Sequence, residues 1–286
     1  MILIDFSQIA ISSAIQYQFS TKEPLDEDLL RHILLSNILF YKKMFGVESK
    51  NICLCLDGHN YWRKDVFPLY KQNRKRDHEA SKFDWDKFFI IFNRIKTEFK
   101  ERLPFYSIEV NQCEADDIIA ILSGLRSPFE DVVIVSSDKD FLQLQNIYNV
   151  KQYSPHHKNY ITKNINGYDL FEHIVRGDPG DGIPNILSND DVFIKHSVRS
   201  KPIRKTLLEE WKRFGGIDKP EHFCKDEAML NRFIRNRKLI DLTQIPEAIG
   251  TEIVETFTNL EDHSQRNTFH YLVEHKLMKI LKNNLL

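Results

Sequence analysis

Four short apolar runs in the first half of the chain, at residues 2–4, 52–56, 105–110 and 132–135, are continuous rather than alternating. Each is followed within a few positions by acids: Asp5, then Asp57, then Glu114 with Asp116 and Asp117, then Asp138 with Asp140. Continuous runs of this length are the mark of strands buried on both faces. Between them lie stretches of helical period, 29–44 and 88–99, the second stopped by Pro104. This alternation predicts an α/β fold with a mostly parallel sheet flanked by helices. In such sheets the crevice opens outside the carboxyl ends of the strands, so acids far apart in sequence are expected to meet on one rim. The turn at 177–184, Gly-Asp-Pro-Gly-Asp-Gly-Ile-Pro, adds Asp178 and Asp181 at a spacing of three.

Carboxylates crowded into one crevice raise each other's pKa, so they must be paired, protonated or metal-bound. An oxygen-only set without His or Cys selects hard cations, Mg2+ or Mn2+, over zinc. Taken singly, each acid can equally be a helix cap, and for Asp117 that is the preferred reading. The four cysteines, Cys53, Cys55, Cys113 and Cys224, form no C-x-x-C pair, and Cys53 and Cys55 read as buried strand packing in a reducing compartment. Neither Gly-rich phosphate signature is present, which argues against a Rossmann dehydrogenase or a P-loop NTPase. With no signal peptide and no apolar run long enough to span a bilayer, the expectation is a cytoplasmic protein without a membrane partner.

Opposite the acids stand two basic concentrations. Arg63, Lys64, Lys71, Arg74, Lys75 and Arg76 are broken only by Asp65 and interleaved with Tyr61, Trp62, Phe67 and Tyr70. Such a segment suits a phosphate backbone with stacked bases; a solvated loop whose aromatics pack inward reads equally well. Lys195, Arg199, Lys201, Arg204 and Lys205 follow the 177–184 turn. Arg232, Arg235, Arg237 and Lys238 read as a solvated helix face, and His156 with His157 as an exposed loop. From about residue 167 helical patterns dominate, at 168–175, 205–214, 227–239, 246–256 and 268–281.

The ordered set Leu3-Ile-Asp-Phe-Ser7, Asp57 with Tyr61-Trp-Arg-Lys-Asp65 and Tyr70-Lys-Gln-Asn-Arg74, Glu114-Ala-Asp-Asp117, Ser136-Ser-Asp-Lys-Asp140 and Gly177-Asp-Pro-Gly-Asp181 resembles the flap endonuclease or 5' nuclease superfamily, most of all its ribonuclease H branch from T-even bacteriophages. The resemblance implies a PIN-like nuclease core over 1–166 with an arch at about 60–90, and a helical DNA-binding lobe over 167–286 with a helix-three-turn-helix-like element. It matches Asp5, Asp57, Glu114, Asp116, Asp138, Asp140, Asp178 and Asp181 to carboxylates for two Mg2+ ions, with Mn2+ able to substitute. Lys71 and Arg74 match basic arch residues facing the scissile phosphate. Arg63, Lys64, Lys75, Arg76 and the 195–205 group would contact DNA. The implied activity is 5'-3' exonuclease and flap endonuclease cleavage of duplex DNA and RNA/DNA, removing RNA primers in phage replication in the host cytoplasm and leaving 5' phosphates. The implied protein is a monomer working beside a single-strand DNA-binding protein; the amphipathic helix at 270–281 is a docking candidate, but packing on its own lobe is the preferred reading of it. Where the superfamily continues the last aspartate into a Gly-rich phosphate nest, this chain reads Gly182-Ile-Pro-Asn and then turns basic. The alternatives are a PIN-type single-strand ribonuclease, against which the long second lobe argues, and a catalytically silent branched-DNA-binding protein, against which the full acid set argues.

Forty Lys and Arg face forty-one Asp and Glu, a net charge of −1 that taken alone argues against a polyanionic partner. Setting aside the eight matched acids leaves thirty-three against forty bases, about +7. A neutral total therefore conceals segregated charge, and duplex binding is expected to weaken steeply with salt.

Overall fold

The computed structural model describes residues 1–162, 167–194, 199–260, 268–277 and 280. It divides into two compact units, Met1–His59 with Lys82–Thr162 and Ala248–Leu286, and Asn60–Ser81 with Lys163–Glu247. The chain thus leaves the first unit for residues 60–81 and returns to it after 247, whereas the sequence suggests one crossing near 166. Separate apolar cores explain the difference. Phe67 and Tyr70 belong to the interior of the second unit, and Tyr271 and Leu272 to that of the first.

The first unit is built on a sheet of order β3-β2-β1-β4-β5-β6. Its strands are β1 (Ile2–Asp5), β2 (Ile52–Leu56), β3 (Tyr106–Glu109), β4 (Val132–Val135), β5 (Val150–Ser154) and β6 (Asn159–Ile161). All neighbours are parallel except β5 and β6. The four expected strands form within two residues of their predicted bounds, and β1 lies between β2 and β4. Ile2, Leu3 and Ile4, like every residue of β2, are buried, as continuous apolar runs require.

Helices α1 (Phe6–Thr21) and α2 (Glu27–Phe45) separate β1 from β2, and α5 (Trp85–Arg102) precedes β3. Helix α5 forms because Asp84 caps it, accepting from the Lys87 amide at 3.0 Å, and because Phe88, Ile91, Phe92, Ile95 and Phe99 recur on one buried face. Each fully buried side chain of that stripe contributes about 1.5–3 kcal/mol. Helix α6 (Ala115–Arg126) precedes β4 and a 3-10 segment (Lys139–Asn146) follows it; α10 (Glu247–Thr258) and α11 (Thr268–Glu274) close this unit. The expected helix at 270–281 is thus seen only in part, residues 278–279 and 281 lying outside the described set.

The second unit contains α3 (Arg63–Val66), α4 (Gln72–Ala80), α7 (Leu170–Arg176), α8 (Lys205–Arg213) and α9 (Glu227–Ile240). Phe171, Ile174, Leu208, Trp211, Phe233 and Leu239 pack its core. No helix among the described residues is long and apolar enough to cross a membrane.

Candidate metal centre

Parallel pairing places the ends of β1, β2 and β4 on one rim. Asp5 lies opposite Cys55 and Ile4 opposite Val135 in register, so Asp57 and Asp138 emerge two and three residues beyond the paired positions. Asp5 ends β1 and caps α1, its Oδ1 accepting from the Gln8 amide at 3.1 Å and its Oδ2 from the Ser136 hydroxyl at 3.0 Å. Asp57 Oδ1 accepts from the Ala115 amide at 2.9 Å, which sets it at the positive N-terminal end of α6. Gly58 makes that approach feasible: a Cβ there would stand 2.0 Å from the Val110 carbonyl oxygen.

Glu114 caps α6 and is buried, and the Asp117 carboxylate accepts from the Glu114 amide at 3.1 Å to complete a capping box. Asp117 is thus a capping residue, as its sequence position suggests. Asp116 is half-buried in the same first turn. Asp138 caps the 3-10 segment, accepting from the Asp140 amide at 2.9 Å.

The rim is electrostatically unbalanced. Asp5 is 6% exposed, and burial, reinforced by the charges of Asp57 and Asp138, pushes its carboxyl from 3.8 to about 7 despite the bonds from Gln8 and Ser136. Neither Asp5 nor Asp57 has an ion-pair partner among the described residues. An all-oxygen donor set in which a buried acid is disfavoured as an anion by its neighbours fits a hard divalent cation. The cysteines offer no competing ligand: Cys53, Cys55 and Cys113 are buried, and burial holds the Cys55 thiol protonated.

The second unit treats its acids differently. Asp181 Oδ1 accepts from Arg74 Nη2 at 2.6 Å, and its Oδ2 accepts from the Tyr70 hydroxyl at 2.9 Å and faces Lys71 Nζ at 3.6 Å. Lys71 holds a left-handed backbone (φ 58°), and its amide donates to the Asp181 carbonyl at 2.8 Å. Gly182 (φ 70°) closes the turn where a Cβ would stand 2.8 Å from Asn73 Oδ1. Asp178 Oδ1 accepts from the Gly180 and Asp181 amides, and its Oδ2 lies 3.1 Å from Nε2 of buried His173, whose Nδ1 meets the Tyr168 hydroxyl at 3.2 Å. Nothing in the sequence marks His173, because its partner lies beyond the end of its helix.

The basic residues divide as well. Arg63 is buried, not DNA-facing: its Nε donates to the Leu239 carbonyl at 3.0 Å and its guanidinium lies 4.6 Å from the Trp62 ring centre. Composition could not show this, because one arginine of a basic run looks like another. Lys64, Lys75, Arg76, Arg199, Lys201, Arg204 and Lys205 are exposed, while Lys195 lies outside the described residues. Arg76 is partly held by Asp77 and the Phe193 carbonyl. His156 and His157 are exposed on the turn between β5 and β6.

The resolvase-like N-terminal domain of the 5'-3' exonucleases matches residues 19–170, and the C-terminal domain of T4 RNase H matches residues 165–285. Ribonuclease H of Enterobacteria phage T4 is 32% identical over 285 residues, spanning 97% of this chain and 92% of that protein. Flap endonuclease Xni of Psychromonas ingrahamii is 32% identical over 108 residues, 37% of this chain and 38% of that protein. Among solved structures, the bacteriophage T5 flap endonuclease in a pseudo-enzyme-product complex with DNA and metal ions superposes with a TM-score of 0.65 at 17% identity, covering 90% of this chain and 99% of that one. The T5 5'-exonuclease with bound zinc ions gives a TM-score of 0.62 at 18% identity, covering 90% and 98%. These two likenesses concern the fold.

Proposed function

The chain belongs to the 5'-3' exonuclease family, and from that membership we infer that it is a metal-dependent 5' nuclease that hydrolyses phosphodiester bonds in branched or nicked duplex DNA and RNA/DNA. Its finer assignment is to Mg2+ as the cation, 5'-phosphate products and RNA primers among the substrates. The observation that carries the reading is the buried Asp5 beside Asp57 and Asp138, its anionic form opposed by their charges.

Asp5, Asp57, Glu114, Asp116, Asp138 and Asp140 would hold the cations. Mg2+, when bound, supplies Lewis-acid polarisation of the phosphodiester and acidifies water. The carboxylates orient by bonds already made: Asp5 to Gln8 and Ser136, Asp57 to the α6 terminus. Lys71 and Arg74, set in place by Asp181, would offset charge developing on the phosphate. Asp178 and Asp181 would complete the acid set of the family. The exposed Lys64, Lys75, Arg76, Arg199, Lys201, Arg204 and Lys205 would follow the duplex backbone. A monomer is the proposed form, with a single-strand DNA-binding protein as partner at α11, where Phe269 and Val273 are exposed.

Time courses on end-labelled nicked duplex, 5' flap, pseudo-Y and RNA/DNA hybrid, each with Mg2+ and with chelator, test the reading. Mg2+-dependent release from the 5' side is the expected result. Binding of forked DNA that survives chelation, with no cleavage when Mg2+ is restored, would make the protein a silent binder instead.

A further inference from the structure

Two helices of the first unit begin with the same spacing of cap and third residue, and they use it differently. At α6 the third residue, Asp117, folds back on the Glu114 amide and the box closes locally. At α1 the cap is Asp5 and the third residue is Gln8, whose amide Oε1 crosses to the segment after β4. There it accepts from the Ser137 amide at 2.6 Å and lies 3.1 Å from the Ser136 hydroxyl. That hydroxyl has one proton to share between Gln8 and Asp5, while its oxygen accepts from the Asp138 amide at 3.1 Å.

From the other side, Gln152 of β5 donates its Nε2 to the carbonyls of Ser136, at 3.0 Å, and Asp138, at 2.5 Å. Both partners are carbonyl oxygens, so only one orientation of the amide satisfies them. Its Oε1 is then buried with no hydrogen-bond partner among the described residues. Leaving such an acceptor unmet costs about 1–3 kcal/mol. The neighbouring Val150 and Tyr153 are buried packing residues, so a polar residue at 152 is a poor choice for stability alone.

We propose that Gln8 and Gln152 are positioning residues: their two amides pin the backbone from Ser136 to Asp138 from opposite sides and so fix the Asp138 carboxylate against Asp5. The inference rests on the proposed metal role of those carboxylates and identifies what holds them at their spacing. Groups that orient metal ligands in this way typically cost 10- to 100-fold in metal affinity when removed.

The test is calorimetric titration of the full chain with Mn2+ alone, without nucleic acid, for wild type, Gln8→Met, Gln8→Glu, Gln152→Met and Asp138→Asn. Gln8→Met and Gln152→Met are expected to weaken Mn2+ by about 10- to 100-fold. Gln8→Glu, which keeps the acceptor oxygen and adds a negative charge beside Asp5, should bind Mn2+ at least as tightly as wild type, and excess Mn2+ should restore cleavage by Gln8→Met. Gln8 is half-buried, so its variants remain informative if Gln152→Met folds poorly. Wild-type Mn2+ affinity in Gln8→Met, with affinity lost in Asp138→Asn, would overturn the positioning role alone. Undiminished affinity in Asp138→Asn would overturn the metal reading beneath it.

Discussion

The carboxylates of the sheet rim and those of the 177–184 turn are the same chemical group in opposite electrostatic conditions. On the rim, Asp5 is buried beside Asp57 and Asp138 and its carboxyl is pushed up to about 7. In the turn, Asp181 receives Arg74, Lys71 and Tyr70, and Asp178 is bonded to His173 and two backbone amides. Among the described residues Asp5 and Asp57 have no ion-pair partner, whereas Lys71 and Arg74 both reach Asp181. A family motif locates both sets equally well, but only the surroundings of each acid separate Asp5, opposed by neighbouring charges, from Asp181, held by two cations.

The largest effect that sharpens this contrast is on cleavage. Asp138→Asn should reduce single-turnover cleavage of a 5' flap by on the order of 10³-fold, since it removes one of the carboxylates proposed to hold the cations. Lys71→Ala should cost about 10²-fold, as expected for loss of one well-placed cationic donor. Asp181→Asn should cost about tenfold, through loosened Lys71 and Arg74 rather than through the rim. Equal losses in Asp138→Asn and Asp181→Asn would erase the distinction between the regions.

Stability provides a smaller effect of opposite sign. Because the folded Asp5 carboxyl titrates near 7 against 3.8 in the unfolded chain, its charge opposes folding of the metal-free protein increasingly as pH rises from about 4 to 7. Asp5→Asn should therefore stabilise the metal-free protein at pH 8 by about 1–2 kcal/mol in urea unfolding while abolishing cleavage. Glu98 behaves in reverse. Burial works to raise its carboxyl, but bonds from Arg31 and Tyr271 outweigh burial and hold it below 4.5. Its contribution is present above 4.5 and is lost as pH falls through its lowered folded value, so Glu98→Gln should flatten the acid limb of the stability curve by about 1 kcal/mol.

Much of the first unit was legible in the sequence because its strands are buried on both faces and leave continuous runs. The rim followed from those runs, since parallel strands put their acids at one end. Strand β5 was less legible because Lys151 and Gln152 interrupt it, and Gln152 is buried for its bonds rather than its apolarity. Helix α1 leaves no such signal, because its apolar residues do not line a single face. Arg63 is indistinguishable in sequence from its exposed basic neighbours although it is buried, and His173 and Gln8 depend on partners that sequence spacing cannot supply.

On the proposed reading the carboxylates of the sheet rim draw the divalent cation most strongly, because Asp181 is already held by Lys71 and Arg74. Thermal unfolding of wild type, Asp138→Asn and Asp181→Asn, each with and without Mg2+ at pH 8, tests it directly, since a ligand that binds only the folded state raises Tm by mass action. Mg2+ should raise Tm for wild type and Asp181→Asn and leave Asp138→Asn unchanged. An undiminished rise in Asp138→Asn, or its loss only in Asp181→Asn, would overturn the assignment of the cation to the rim.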